Sequence, residues 1–90
     1  MYRVQFAPEA LADVAKLQKS EPKAFAKLAK LIKELEEHPK MGTGKPKPLG
    51  GDKAGQWSRR ITDKHRLVYE VEEEQVVVLV LSSWGHYDDK

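Results

Sequence analysis

Arginine side chains and one histidine give this sequence its chemical interest. Arg59 and Arg60 are adjacent, Arg66 follows a short turn later, and His86 stands beside Tyr87 near the end of the chain. Arginine holds phosphate through a fixed fork of donors. Histidine titrates near neutral pH and can serve as a general acid. Each has a plainer reading: Arg66 in a surface ion pair with Glu70, and His86 in packing. His38 falls at a predicted helix end, where a cationic side chain complements the dipole. His65 opens a strand beside a turn, a place for hairpin packing. No histidine pair has metal-ligand spacing, and there is no HExxH motif or carboxylate cluster, so neither a metal site nor a cofactor is expected. Gly42-Thr43-Gly44-Lys45 is not a P-loop, because the spacing and the hydroxyl residue after lysine are missing. With no cysteine in the chain, thiol catalysis, disulfides and cysteine zinc sites are excluded.

The charge distribution sharpens this. The 90 residues carry a formal net charge of +2, which by itself implies no polyanionic partner. The segments differ, however. Residues 39–66 hold five lysines and three arginines against Asp52 and Asp63, a net +6, and residues 67–90 hold six acids against Lys90, a net −5. A basic block of this kind either steers phosphate or is a solvated lysine-rich loop. Its position in the fold decides which.

The elements that must position these residues follow from periodicity. Tyr2 to Phe6 alternates as a first strand. Pro8 suits the first turn of a helix, and Leu11, Val14 and Leu17 suggest its apolar stripe. Ser20-Glu21-Pro22 breaks that helix and starts another. There Phe25, Leu28, Ile32 and Leu35, with Leu31, form one face, and Lys23, Lys27, Lys30 and Glu34 the opposite one. His38-Pro39 ends it. Residues 39–55 read as a Pro- and Gly-rich loop, long enough to suggest function. Three strands follow: Gln56–Ile61, His65–Val71 and Gln75–Ser82, joined by turns at 62–64 and 72–74. The unbroken Val76–Leu81 run predicts an interior strand covered on both faces. It is also the longest apolar run, at six residues, far short of the ~20 of a membrane helix. No signal peptide is visible, and the absence of cysteine fits a cytoplasmic chain. The expectation is an α+β fold: an N-terminal strand, a two-helix hairpin and a three-stranded antiparallel meander, with the helices on one sheet face. Period two then puts Arg66, Val68 and Glu70 on the open face, with Leu67, Tyr69 and Val71 beneath the helices. Arg59 and Arg60 must point to opposite faces, so only one shares the surface of Arg66. The sequence leaves open which.

The run Trp57-Ser58-Arg59-Arg60-Ile61-Thr62-Asp63-Lys64-His65-Arg66-Leu67-Val68-Tyr69 resembles the YoeB-type (Txe/YoeB) toxins of bacterial toxin–antitoxin pairs. Gly42-x-Gly44-Lys45-Pro46-x-Pro48-Leu49 and His86-Tyr87 carry the same resemblance, which spans essentially the whole chain as one toxin domain, residues 1–90. It implies the RelE-like, microbial-RNase-type fold of the RelE superfamily. It also implies a metal-independent endoribonuclease that enters the ribosomal A site, cuts the bound mRNA and so inhibits translation. An acidic, partly disordered antitoxin is the implied partner. YoeB-type relatives can be dimeric, which leaves a homodimer open, and no membrane is involved. In such enzymes the RNA 2′-OH attacks the adjacent phosphorus, cations stabilise the phosphorane, and an acid protonates the leaving 5′ oxygen. Carried over by position, Arg66 becomes the phosphate clamp and His86 the general acid. Tyr87 positions RNA or assists proton transfer. Arg60, or less favourably Arg59, adds positive potential with Lys45, and Trp57 is read as core rather than as a base-stacking surface.

Two positions depart from the family pattern. Lys47 stands between Pro46 and Pro48, where the family usually has the glutamate taken as general base, and Gly50 replaces a common lysine. Lysine is a poor base unless like charges such as Lys45, Arg60 and Arg66 favour its neutral form. Lys47 is therefore expected either to act as such a base or only to stabilise the phosphorane. RelE itself, rich in lysine and arginine and without the glutamate, is similar. The competing expectation is a catalytically weakened homologue that binds antitoxin, ribosome or RNA without efficient cutting.

Overall fold

A computed structural model describes residues 1–53 and 55–85. Strand β1 spans Arg3–Phe6, helix α1 Pro8–Ser20 and helix α2 Pro22–Glu37. Strands β2 Lys47–Pro48, β3 Gln56–Arg60, β4 Arg66–Glu72 and β5 Val77–Ser82 follow, with a short 3₁₀ turn at Gly51–Lys53. The sheet order is β1-β5-β4-β3-β2. β1 runs parallel to β5, and the remaining pairs are antiparallel. No described helix is long and apolar enough to cross a membrane.

Each helix starts with proline in its first turn, where the absent N–H costs no hydrogen bond. Glu21 alone joins them. Its φ of −141° and ψ of 77° lie outside the helical region, which a residue before proline avoids. Its N–H closes α1 on the Leu17 carbonyl, and its carbonyl opens α2 by accepting from Phe25. Leu28, Leu31 and Leu35 of α2 meet Leu67, Tyr69, Val78 and Val80 of the sheet in one buried cluster.

The structure corrects the expected stripe of α1. Leu11 is 57% exposed, whereas Ala10 and Leu17 are fully buried. A strict spacing of three drifts by ~60° per step around a helix of 3.6 residues per turn. Leu11 and Leu17 thus diverge by ~120°, and the face that packs runs through Ala10, Asp13, Val14 and Leu17.

A second correction concerns residues 39–55, which are not all loop: Lys47–Pro48 pairs with Ser58 and Trp57 as an edge strand. A third concerns β5, which begins at Val77. Val76 lies in the preceding turn with φ +56°, and its carbonyl accepts the Arg3 N–H. Flanked by β1 and β4, β5 buries Val77 and Val78 on opposite faces. Val68 pairs with Ser82 and Tyr69 with Val80, leaving Leu81 as an extra residue. This bulge bends the end of β5, which continues beside Arg66.

Candidate active site

The open face of the sheet is fixed by the β3–β4 register. Trp57 is opposite Tyr69 and Arg59 opposite Leu67, all on the helix side, so Ser58–Val68 and Arg60–Arg66 face outward. Lys47 joins this face because it pairs with Ser58. Lys47, Ser58, Val68 and Ser82 form one row across β2, β3, β4 and β5, and Arg60 and Arg66 form the next.

Arg60 and Arg66 are thus directly opposed like charges, an arrangement that costs stability in a sheet. Their compensation is slight. Arg60 meets the exposed Asp63 only at 3.9 Å. Arg66 has no side-chain ion pair among the described residues, and the partner expected for it, Glu70, is engaged elsewhere. Glu70 shares a hydrogen bond with Glu72, and the neighbouring carboxylate pushes its carboxyl above the usual range.

Arg59 turns the other way, out of reach of the open face. Its guanidinium is fully buried, and all five donors are used. Nε donates to the Tyr69 hydroxyl at 3.1 Å, one terminal nitrogen to Glu34 Oε1 at 2.9 Å and the Thr43 carbonyl at 3.2 Å, and the other to the His38 and Met41 carbonyls. A buried guanidinium persists only when paired and fully hydrogen-bonded, and here it is both. Arg59 therefore pins the chain that leaves α2, in contrast to the surface role weighed for it. Burial pushes the Tyr69 hydroxyl up, and that hydroxyl donates to the Pro39 carbonyl at 2.7 Å.

Glu34, assigned by the sequence to the solvent face of α2, also turns inward. Its carboxylate accepts from the Thr43 hydroxyl and N–H at 2.6 and 2.9 Å, and these contacts, with Arg59, hold its pKa below the usual carboxylate value. Lying one position before Leu35, Glu34 flanks the apolar stripe. The signal that could have found it was the unmatched Arg59, whose burial demands an acid.

The same network explains the Gly-x-Gly-Lys motif. A Cβ on Gly42 (φ +120°) would stand 2.6 Å from Glu34 Oε1, and one on Gly44 (φ +86°) 2.9 Å from the Arg60 carbonyl oxygen. Gly44 lies close because its carbonyl accepts the Arg60 N–H at 2.7 Å. The loop so held delivers Lys45 and Lys47, both exposed, to the flank of Arg60.

Ser58 escaped the sequence reading. It is 1% exposed, and its hydroxyl has no hydrogen-bond partner among the described residues. Trp57 packs against the core, as expected. His38 is the C-cap of α2 through its backbone. His65 is buried against Trp84 with Nε2 on Glu21, a packing role of the kind expected for it. His86 and Tyr87 lie outside the described residues.

A half-buried Arg66, an exposed Arg60 and two exposed lysines offer a guanidinium fork for two parallel hydrogen bonds to a phosphate and further positive charge to stabilise added negative charge. Comparison with known proteins places the chain among relatives of the same length and fold. Residues 6–87 match the family model of a YoeB-like toxin of bacterial type II toxin–antitoxin systems. The chain is 40% identical over 79 residues to a toxin YoeB of Mycobacterium bovis, covering 88% of this chain and 93% of that one. Its fold matches a YoeB/ParE toxin from Agrobacterium tumefaciens with a TM-score of 0.88 at 35% identity, over 94% of this chain and 99% of that one. Two structures from Staphylococcus aureus share 32% identity with it. One is a YoeB dimer (TM-score 0.84, 96% of this chain and 98% of that one) and the other a YoeB–YefM complex (TM-score 0.82, 97% and 99%).

Proposed function

The chain belongs to the YoeB-like toxins of bacterial type II toxin–antitoxin systems, and from that premise we propose that it is a ribosome-dependent mRNA endoribonuclease acting in the A site. The observation that carries the reading is the opposed Arg60–Arg66 pair. A sheet that places two arginines face to face, with one weak acid contact between them, is arranged for an anion rather than for its own stability.

In this mechanism the RNA 2′-OH gives up its proton to solvent water as its oxygen attacks the adjacent phosphorus, and the P–O5′ bond breaks. A 2′,3′-cyclic phosphate and a 5′-hydroxyl result. Arg66 grips the phosphate, and the gathering charge of the phosphorane falls to Arg66, Arg60, Lys45 and Lys47. The leaving oxygen takes its proton from His86, with Tyr87 positioning the RNA. No metal is needed, because the arginines and lysines supply the positive charge. Lys47 is exposed on the edge strand, where its ammonium is hydrated, and it serves as a cation. Arg59 acts only by holding the loop. The partners are mRNA on the ribosome, in the cytoplasm, and an acidic antitoxin that masks the basic face. A homodimer is proposed by analogy with the dimeric relative from Staphylococcus aureus.

One observation favours a weakened enzyme: Lys47 occupies the row where an acid would take the 2′-OH proton. Cleavage rates against pH for wild type and Lys47→Glu separate the two readings. A faster variant with a lower-pH optimum marks the missing base, and an unchanged rate and profile removes Lys47 from catalysis. The test of the function itself is cleavage of mRNA on programmed ribosomes, abolished by His86→Gln.

A further inference from the structure

The three residues that precede His86 are each held by side chains or backbone from other elements. The Ser83 N–H donates to Asp13 Oδ2 of α1 at 3.0 Å. The Trp84 ring lies on the His65 ring, with centroids 4.4 Å apart and planes tilted by 41°. Lys16 Nζ stands 4.6 Å from the centroid of the same indole, close enough for a cation–π contact. Gly85 is held at both polar atoms. Its N–H donates to His65 Nδ1 at 2.8 Å, and its carbonyl accepts the Arg66 N–H at 3.0 Å.

The geometry fixes the state of His65. Nδ1 accepts a hydrogen bond, so it carries a lone pair, and the ring proton belongs on Nε2. Nε2 lies 2.9 Å from Glu21 Oε2. The hydrogen bond from His65 is the leading cause that holds the Glu21 carboxyl below the usual range, which keeps it an acceptor. A carboxylate that orients an imidazole and sets its tautomer is a familiar catalytic device. Here the ring is only 3% exposed and both nitrogens are engaged inside the protein. It has no nitrogen left for substrate. What it holds is the backbone.

We propose that His65, oriented by Glu21, is a positioning residue that fixes the chain at Gly85 and so sets where His86 begins. This inference rests on the reading of His86 as the general acid. The Arg66 backbone joins the same clamp, so the strand that presents the phosphate arginine also anchors the segment that leads to the acid. The α1–α2 junction contributes through Glu21, and α1 through Asp13 and Lys16. The single-residue linker at Glu21 thereby has a second task besides reversing the chain.

Two variants divide the functions of the ring. His65→Gln keeps a donor toward Glu21 and loses the acceptor for Gly85. His65→Asn keeps an acceptor near the Nδ1 position and loses the donor. Hydrogen exchange of the Gly85 amide, followed by NMR, reads the clamp directly, and single-codon cleavage on programmed ribosomes reads its consequence. In His65→Gln, Gly85 exchange accelerates at least about tenfold, and kcat falls roughly 10- to 100-fold with KM little changed, as for a misplaced catalytic group. His65→Asn restores most of both. Wild-type rates in His65→Gln, or equal loss in both variants, overturn the proposal. If the wild-type protein does not cut mRNA at all, the proposed function fails, and the clamp still stands or falls by NMR. Fast Gly85 exchange in wild type, or a proton on His65 Nδ1 at neutral pH, would refute it.

Discussion

At the scale of single residues, register divides the three arginines of β3 and β4, one to the interior and two to the open face. Arg59 is sealed inside with every donor occupied. Removing it leaves Glu34 without its cation and three loop carbonyls without a donor. Arg59→Met is therefore expected to lower the unfolding free energy by about 3–5 kcal/mol, measured by urea denaturation. The proposed role of Arg66 gives it the opposite dependence, on cleavage rather than on stability. Arg66→Ala should reduce cleavage by about 10²–10³ with a urea midpoint that does not fall, and that rises if relief of the Arg60 repulsion outweighs lost packing. Arg66→Lys should recover only part of the cleavage, since an ammonium cannot reproduce the guanidinium fork. Arg60→Ala should cost less and should reduce the salt dependence of RNA binding by roughly one phosphate contact. Period two in the sequence already showed that Arg59 and Arg60 divide between the faces. It could not show which went where, because that depends on the pairing of Arg60 with Arg66 and on an acid, Glu34, that lies 25 residues away from Arg59.

At the scale of elements, most of the architecture was legible. Proline at each helix start, His38-Pro39 at the end of α2 and the alternation in β3 and β4 all correspond to observed boundaries. The exceptions have physical causes. Leu11 was read into a stripe that helical geometry carries away from the core, so Leu11→Lys should be nearly neutral in thermal denaturation, whereas Leu17→Ala should cost about 2–5 kcal/mol. Strand β2 was hidden because two residues, one of them proline, carry no periodic signal; it exists because the preceding loop is tied to Arg59 and to the Arg60 backbone. Gly44→Ala tests that dependence. Its Cβ would press on the Arg60 carbonyl in a left-handed backbone conformation, and the expected result is a lower melting temperature together with weaker cleavage. The parallel pairing of β1 with β5 was equally invisible, since nothing in a four-residue strand names its neighbour.

At the scale of the whole molecule, the net charge of +2 conceals a division of labour. Basic side chains gather at one end of the open sheet face, while Glu70 and Glu72 share a proton-sensitive contact farther along β4. Acid should act on the fold through the inward carboxylates. The pKa values of Glu34 and Glu21 are lowered on folding from an ordinary 4.5. Their contribution is complete above about pH 4.5 and is lost as pH falls through the lowered values. Glu70, raised on folding, works with the opposite sign: its contribution is present below 4.5 and lost as pH rises through the raised value. A urea midpoint that falls on acidification below pH 4.5, and falls less steeply in Glu34→Gln, is the expected result. The central claim, that the basic face and His86 together cut mRNA in the ribosomal A site, is tested most directly by mapping mRNA ends on programmed ribosomes with wild type, Arg66→Ala and His86→Gln. The account predicts discrete cuts within the A-site codon for wild type and intact message for both variants. Intact message with stoichiometric wild-type protein bound to the ribosome, or identical cuts from His86→Gln, would contradict it.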